Sequence, residues 1–237
     1  GNSSSLCTIC IEEFKEGIEI SADFYIENGV AKFLSATNSL KIRNRKSFTI
    51  LCSDYPAITG EQEVAVTKIA TDIAKAFLLN NTPLLVQLIV KDSEINVIEF
   101  SARMGGGSKY KLIEVLSGVD IMSKYVDLIL GDCPHVHPSK QVDYCKMVYI
   151  YCYPGVYDRM EGLEQMKSEG VIDDYFLYKT KGMEIQKAET SGDRPAGYLC
   201  SAKTSDDLWK KIEYIDSQIK AISSTGEDMM IHGLLTR

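Results

Sequence analysis

The chain has 237 residues, enough for one large domain or two small ones. Its composition, 45% hydrophobic and 25% charged, is that of a globular protein. The net charge of −7 without a long basic run argues against a nucleic-acid-binding surface, and no apolar run is long enough to predict a membrane span. Seven scattered cysteines, an odd number, favour reduced thiols and a cytoplasmic location.

The first half predicts an antiparallel sheet with a covering helix. Asn28-Gly29 is a strong signal for a tight hairpin turn. Thr59 and Gln62 form a capping-box pattern, which predicts a helix to about residue 80 whose apolar stripe covers one face of the sheet. The basic stretch 41–46 is more typical of a solvated loop than of a ligand contact. Strands are predicted over residues 6–14, 19–26, 30–36 and 47–52, followed by a hairpin over 84–103.

The second half predicts short helices and then a smaller unit. Turn-forming residues interrupt the pattern after a helix over 120–130, in which Ile129 is expected to face inward. We therefore place the main boundary near residues 135–140, which divides the chain into units 1–135 and 136–237. The fold class is α+β: an antiparallel sheet with helices on one face, followed by a smaller α+β C-terminal lobe. Further helices are predicted over 108–116 and 161–169, and further strands over 144–153 and 196–201. A hairpin is predicted over 174–188, and a last helix is capped by Ser205 and has an apolar stripe that reaches Ile222.

The predicted hairpin 84–103 carries polar side chains where a half-buried sheet should be apolar. Because side chains alternate along a strand, Glu99, Ser101 and Arg103 should share one face. Antiparallel pairing could place Gln87 beside Glu99. Oxygen ligands suit Mg²⁺, and a neighbouring arginine suits phosphate. An ion pair between Glu99 and Arg103 is the simpler alternative.

Three glycines follow this strand directly. Gly105, Gly106 and Gly107 would let backbone N–H groups approach an anion, and the helix after them adds its N-terminal dipole. A lone run of glycines is weak evidence for such a site. Its place between a carboxylate-bearing strand and a helix makes a ligand site the favoured interpretation.

Other candidate groups have ordinary explanations. Glutamates such as Glu12, Glu13 and Glu19 are usually surface acids at strand ends, and from the residues alone this interpretation is preferred. Cys7 and Cys10 form a C-x-x-C pattern in an apolar run, but no second pair completes a zinc site. His135 and His137 stand beside prolines in a linker, a poor context for a metal site.

Two segments resemble motifs of the ATP-grasp superfamily, which includes biotin carboxylase, carbamoyl phosphate synthetase, D-alanine–D-alanine ligase, phosphoribosylamine–glycine ligase and the L-amino-acid ligases. The stretch Glu12-Glu13-Phe14-Lys15-Glu16-Gly17-Ile18-Glu19 resembles the hinge motif E-[EK]-[FY]-x-x-G-x-E. The stretch Val97-Ile98-Glu99-Phe100-Ser101-Ala102-Arg103-Met104-Gly105-Gly106-Gly107 resembles the metal-strand motif v-x-E-x-N-x-R-x-g-g. Ser117-Gly118-Val119-Asp120 resembles the helix start t-G-v-D.

The resemblance implies a set of roles around ATP and Mg²⁺, with Mn²⁺ as an alternative ion. It places the adenine against Glu12, Glu13, Phe14 and Lys15, and the ribose at Glu19. It assigns the metal to Gln87, Glu99 and Ser101, with Glu99 bridging two ions. It gives Arg103 the catalytic role of stabilising the transferred phosphoryl group, and it places the phosphates near Gly105, Gly106 and Gly107.

The implied function is that of an ATP-dependent carboxylate–amine ligase acting on a small-molecule carboxylate and an amine through an acyl-phosphate. Ser101 departs from the family's asparagine, and its shorter side chain is expected to weaken the second metal. The family's pre-grasp domain, lysine strand and glycine-rich loop have no counterpart before residue 6, so we expect a truncated polypeptide, inactive alone, with the N-terminal half as partner. A homodimer is compatible with this function. Alternatives are a biotin-carboxylase-like or carbamoyl-phosphate-synthetase-like enzyme, or a noncatalytic regulatory module.

Overall fold

Strands and helices follow one another in a mixed α+β order, seen in a computed structural model that describes residues 9, 11–42, 49–187 and 190–237. The strands are β1 Ile18–Glu27, β2 Val30–Lys41, β3 Ile50–Tyr55, β4 Thr82–Lys91, β5 Glu94–Ser101, β6 Tyr144–Tyr149, β7 Gly155–Glu161, β8 Asp174–Leu177, β9 Glu184–Ile185, β10 Ala196–Ala202 and β11 Lys220–Ser223. The helices are α1 Gly60–Ala76, α2 Lys109–Ser117, α3 Ile121–Ile129, α4 Leu163–Ser168 and α5 Ser205–Gln218.

Most of the strands belong to one antiparallel sheet with the order β5-β4-β1-β2-β3-β6-β10-β8. A smaller sheet, β11-β7-β9, lies in the last third of the chain. The predicted hairpin turn between β1 and β2 is confirmed, since Asn28 and Gly29 have φ of 52° and 72° as a type I′ turn requires. The α+β class with a large antiparallel sheet and packed helices is also confirmed.

The two faces of the large sheet differ in chemistry. On one face, Ile20, Ala22 and Val86 are buried against Val66 and Ala70 of α1, whose Thr59–Gln62 capping box forms as predicted. On the other, strand pairing aligns Ser21 of β1 with both Thr37 of β2 and Gln87 of β4, and Gln87 with Glu99 of β5. We call this second side the polar face; its members are Glu19, Ser21, Asp23, Thr37, Gln87 and Glu99.

Helices pack on both faces, whereas the sequence suggested one. Leu208 and Ile212 of α5 pack with Val148, on the same side as α1. In contrast, Leu112 and Leu116 of α2 pack with Met147, whose partner on β3 is Ser53 on the polar side. The chain therefore turns back over the polar face after the glycine segment, which brings α2 close to the residues of interest.

The N-terminal strand prediction is wrong where the structure describes it. Residues 11–16 have no regular secondary structure, and the side chains of Ile9, Ile11 and Phe14 are 84%, 86% and 87% exposed. No neighbouring strand among the described residues pairs with this segment, so its apolar pattern has nothing to pack against. The basic stretch 43–46 and the pair Cys7 and Cys10 lie outside the described residues.

The C-terminal predictions need correction at several points. The hairpin over 174–188 does not form, because β8 pairs with β10 and β9 pairs with β7. Ile129, predicted to face inward, is 70% exposed. The N-cap of α5 is Thr204 rather than Ser205, and Ile222 lies on β11 rather than on the helix. The division of the chain at 135–140 stays a prediction. The large sheet contains strands from both sides of it, because β3 pairs with β6. Within the described ranges, none of the helices combines the length and apolarity needed to cross a membrane.

Candidate functional site

The β4–β5 hairpin holds its polar side chains together through a bulge. From Lys91↔Glu94 to Leu88↔Val97 the pairing is regular, and it then shifts so that Gln87 lies opposite Glu99. Without the shift, Gln87 would face Ile98. The extra residue thus puts an amide and a carboxylate side by side on the polar face, where Glu99 is exposed and Gln87 is half-buried.

Ser101 continues along the same side of the hairpin, whereas Arg103 follows the end of β5 in a turn where its N–H donates to the Ser101 carbonyl at 2.8 Å. Ser101 is paired with Leu85 and is half-buried, while Arg103 is exposed. Arg103 donates a hydrogen bond to the carbonyl of Met104 at 2.8 Å. In the described part of the chain no ion pair joins Glu99 to Arg103, so the simpler explanation for these two charges is not realised. Both charged groups face solvent and are accessible to a ligand.

The donor set of Gln87, Glu99 and Ser101 is made of oxygens only, which suits Mg²⁺ or Mn²⁺. It offers a single carboxylate. Across the ranges that the structure describes, no group of three or more His, Cys, Asp and Glu is arranged to hold a metal ion. These residues therefore fit an ion whose remaining ligands are phosphate oxygens and water, as Mg²⁺ commonly has, rather than a cage built by protein alone.

The hinge segment 12–19 leads into β1 beside the end of β4, where Lys91 pairs with Glu16. Gly17 has φ of 148°, and a Cβ there would lie 2.6 Å from the Val90 carbonyl oxygen, so only glycine fits this approach. Lys15 pairs with Glu13 at 2.9 Å and with Glu94 at 3.6 Å. The hydrogen bond to Glu13, followed by the charges of Glu13 and Glu94, raises the pKa of Lys15 despite partial desolvation.

A cleft of about 1000 Å³ opens beside this hinge. Its walls come from the hinge, the end of β2, the β4–β5 hairpin and, unexpectedly, the C-terminal residues 234–236. The Glu19 carboxylate reaches it and forms an ion pair with Lys41 of β2. Apolar side chains such as Leu51 and Ile89 line its interior. A flat, partly apolar group would fit this cleft, with carboxylates and ammonium groups at its rim.

The cleft and the polar residues form one line along the strands. On β4, Ile89 lines the cleft and Gln87 lies two residues further on the same face. On the neighbouring strand β1, Glu19 pairs with Ile89, and Ser21 pairs with Gln87. Asp23 follows on the same face and pairs with Leu85. Because two residues of a strand span about 6.5 Å, the oxygen donors lie about that far from the cleft. Ser101, Arg103 and the glycines follow beyond them.

Two of the three glycines are fixed by side chains. The N–H of Gly105 donates to Asp23 Oδ1 at 3.3 Å, so it does not point freely at an anion. The carbonyl of Gly107 accepts from Tyr149 Oη at 2.7 Å, and a Cβ at this position would lie 2.6 Å from that oxygen. Gly106 is exposed, with open space around it. Of the three predicted N–H contacts, the structure engages that of Gly105, whereas the bond at Gly107 uses its carbonyl and leaves the N–H groups of Gly106 and Gly107 available.

A buried lysine, absent from the sequence-based assignment, supports this segment. Lys109 Nζ, at the start of α2, lies 2.6 Å from Ser21 Oγ and 2.9 Å from Asp23 Oδ2. Lys109 and Asp23 are 6% and 2% exposed. The alternation Glu19, Ser21, Asp23 in an otherwise apolar strand is the signal that could have located the acidic partner. Nothing in the sequence marks Lys109 as different from a solvated helical lysine.

Aromatic residues of the C-terminal third hold the segment from its other side. Tyr178 Oη lies 3.0 Å from Ser108 Oγ, next to the contact of Tyr149 with Gly107. The Arg194 guanidinium stacks over the Tyr149 ring, 3.8 Å from its centroid, and donates to Tyr151 Oη at 2.6 Å. Burial raises the pKa of Tyr149 and outweighs the lowering by Arg194, so the phenol stays a donor. The glycine segment is therefore clamped between two parts of the chain.

Comparisons with known proteins show which domain family and which fold this chain resembles. Residues 3–111 match the family model of the ATP-grasp domain. No curated protein sequence matches the chain significantly. Phosphoribosylglycinamide synthetase from Anaerococcus prevotii is similar in structure, with a TM-score of 0.76 and 21% identity over 90% of this chain and 55% of that one.

Two further solved structures show the same fold. L-amino acid ligase from Bacillus licheniformis gives a TM-score of 0.74 and 20% identity, over 89% of this chain and 53% of the ligase. The biotin carboxylase domain of 2-oxoglutarate carboxylase from Hydrogenobacter thermophilus, solved with ADP, magnesium and bicarbonate, gives 0.67 and 14%, over 92% of this chain and 47% of that one. The present chain thus spans about half the length of the proteins that it resembles.

Proposed function

We propose that the chain, whose residues 3–111 match the ATP-grasp domain model, is part of an ATP-dependent carboxylate–amine ligase and supplies one wall of its Mg²⁺–nucleotide site. The observation that carries this proposal is the linear order on the polar face. A cleft beside the hinge is followed by Gln87 and Glu99, and then by Ser101 at the end of β5, two residues before Arg103. A nucleotide laid along the strands would have its base in the cleft and its phosphates over the oxygen donors.

Each group has a role that its position supports. The hinge residues Glu12, Glu13, Phe14 and Lys15 border the base, and Glu19 lies within reach of a ribose hydroxyl at the floor of the cleft. Gln87, Glu99 and Ser101 hold Mg²⁺, which when bound neutralises charge on the phosphates. Arg103 stabilises the phosphoryl group during transfer.

The reaction follows from the family's chemistry. A carboxylate oxygen of the acid attacks the γ-phosphorus of ATP, and the bond to ADP breaks to give an acyl-phosphate. An amine then attacks the carbonyl carbon, and phosphate leaves. This chain covers 55% and 53% of two proteins of similar fold, which supports a contribution to the complete site from a further segment. Residues 1–237 alone are expected to bind nucleotide weakly and to show no ATP turnover.

One observation favours a second candidate, a noncatalytic module that binds nucleotide without turnover. The donor set has one carboxylate, and Ser101 stands at a position where a longer amide would reach further. A single weakly held ion would support binding better than phosphoryl transfer. Carboxylate-dependent ATP cleavage by the full-length protein separates the two. The ligase forms ADP when the acid is present and turns over continuously once the amine is added, whereas the module never forms ADP.

Nucleotide binding itself is tested by an NMR titration with Mg²⁺–ADP at millimolar concentration. Glu99→Gln keeps the shape of the side chain and removes its charge, and should weaken binding about tenfold, or 1.4 kcal/mol. Glu184→Gln, at an exposed residue of β9, is the matched control and should leave binding unchanged. An unchanged affinity for Mg²⁺–ADP in Glu99→Gln would contradict the metal assignment. Rapid ATP hydrolysis by residues 1–237 alone would contradict the claim that the site is incomplete.

A further inference from the structure

The C-terminal end of the chain lies at the candidate nucleotide cleft. Leu234, Leu235 and Thr236 line it together with the hinge, although they are at the opposite end of the sequence from Glu19. Leu234 and Leu235 are half-buried, and Thr236 is exposed. Leu234 packs with the cluster around Leu51 and Tyr149, so the last residues continue the apolar wall that Leu51 begins.

Backbone hydrogen bonds hold the segment against the chain that follows β6. The N–H of Ile231 donates to the carbonyl of Tyr151 at 2.9 Å, and the N–H of Tyr153 donates to the carbonyl of Met229 at 2.8 Å. At the end of the chain, Arg237 forms an ion pair with Asp206 of α5. These contacts hold residues 229–237 along the sheet edge of the cleft.

His232 adds a side-chain clasp just before the lining residues. Its Nε2 lies 3.0 Å from Asp228 Oδ2, and its Nδ1 lies 2.8 Å from the carbonyl of Asp216 on α5. The N–H of Gly233 donates to Asp216 Oδ2 at 3.0 Å. The turn at Gly233, with φ of 68°, then directs Leu234 toward the cleft. The direction of the last four residues is thus set by specific contacts.

We propose that segment 231–237 is the wall of the cleft that faces the nucleoside, and that Leu234 and Leu235 determine affinity for the base. The inference rests on the proposed nucleotide function. The lining of the cleft combines charged groups of the hinge, such as Glu12, Glu13 and Lys15, with apolar side chains that include Leu51 and Leu234. A purine ring needs an apolar surface of this kind on one side, because burying its faces stabilises binding while its edge keeps polar partners.

A wall that faces only the nucleoside predicts a selective effect. Removing apolar contact from Leu234 or Leu235 should weaken ADP, which carries a base, and should leave inorganic pyrophosphate unaffected. A purely structural role would change both ligands or neither. The phosphates lie over Gln87 and Glu99, which are not members of the cleft lining, so the two ligand parts are separable.

The test compares dissociation constants of Mg²⁺–ADP and Mg²⁺–pyrophosphate for the whole chain by NMR titration. Leu234→Ala and Leu235→Ala should weaken ADP about fivefold with pyrophosphate unchanged. Because these variants also lose packing, Thr236→Trp is added, which fills the cleft from an exposed position; it should weaken ADP similarly. Thr180→Trp, an exposed position outside the cleft lining, is the control and should change neither.

The outcomes separate this inference from the function on which it rests. If the unmodified chain binds neither ligand, the proposed nucleotide function fails. If it binds both and the three variants keep the ADP affinity, or lose ADP and pyrophosphate equally, the nucleoside wall is overturned. A selective loss for ADP in Thr236→Trp together with at least one leucine variant supports it.

Discussion

Lys109 and Asp23 form a buried ion pair, with Nζ 2.9 Å from Oδ2, on the polar face of the sheet. The other oxygen of Asp23 accepts the N–H of Gly105, so one carboxylate ties β1, the start of α2 and the glycine segment together. Ser21 and Ser35 complete its surroundings. The ion pair thereby fixes where the chain leaves β5 and turns over the sheet.

Removing the charge of Lys109 alone should strongly reduce the free energy of unfolding. Lys109→Met keeps the volume and removes the charge, which leaves Asp23 buried without its cation. We expect a loss of about 3–5 kcal/mol in the free energy of unfolding, measured by urea denaturation. The control is Lys68→Met, which breaks an exposed pair with Asp72 and should change the free energy of unfolding far less, because water screens that pair. Equal losses in the two variants would show that Lys109 is not held as described.

The contact between Gly107 and Tyr149 predicts a coupled pair of substitutions. Gly107→Ala adds a Cβ at 2.6 Å from Tyr149 Oη and keeps a residue at φ of 68°, so it should destabilise the chain by more than the roughly 1–2 kcal/mol of left-handed strain. Tyr149→Phe removes the clashing oxygen. The double variant should therefore lose less than the sum of the single losses in urea unfolding.

Gly106 provides the matched control for that cycle. It is exposed, and a Cβ added there would meet nothing within 4 Å, so Gly106→Ala should be close to neutral. Strict additivity of Gly107→Ala and Tyr149→Phe would contradict the close approach. A loss in Gly106→Ala as large as in Gly107→Ala would show that the segment is sensitive to any side chain.

Glu27 predicts a pH-dependent contribution to stability. Hydrogen bonds with Lys32 and then His135 lower its pKa from 4.5 to about 2. Because the folded pKa lies below the ordinary value, Glu27 stabilises the fold above pH 4.5, and the contribution is lost as the pH falls through about 2. The gap in urea midpoint between the unmodified chain and Glu27→Gln should be largest near neutral pH and narrow steadily below pH 4.5.

The same gap at all pH values would contradict this account of Glu27. Glu184→Gln, at an exposed residue of β9, serves as the reference because its replacement should leave the midpoint nearly unchanged across the range.

The hairpin shows how far sequence patterns reach. Period-two alternation was enough to predict a shared face for Glu99 and Ser101 and a neighbouring Gln87. The register that achieves it depends on a bulge at Ile98, and a bulge has no signature in this apolar run. The strand prediction for residues 11–14 failed for the converse reason, because an apolar pattern forms a strand only where a partner strand is present.

The supporting residues were beyond sequence analysis. Lys109 opens a helix in a polar context, and its burial follows from α2 lying on the polar face, which periodicity does not reveal. Leu234 and Leu235 belong to a terminal segment without helical or strand period, so their position at the cleft depends on contacts with Tyr151 and Asp216. Long-range packing, rather than local pattern, determines both.

The central claim, that a divalent ion with a nucleotide lies over Gln87 and Glu99, is tested most directly by paramagnetic broadening with Mn²⁺–ADP. Mn²⁺ replaces Mg²⁺ at oxygen sites and broadens amide signals within a short radius. We predict strong broadening at Gln87, Glu99 and Ser101, none at α5, and its loss in Glu99→Gln. Broadening that is absent from the β4–β5 hairpin, or that persists unchanged in Glu99→Gln, would contradict the account.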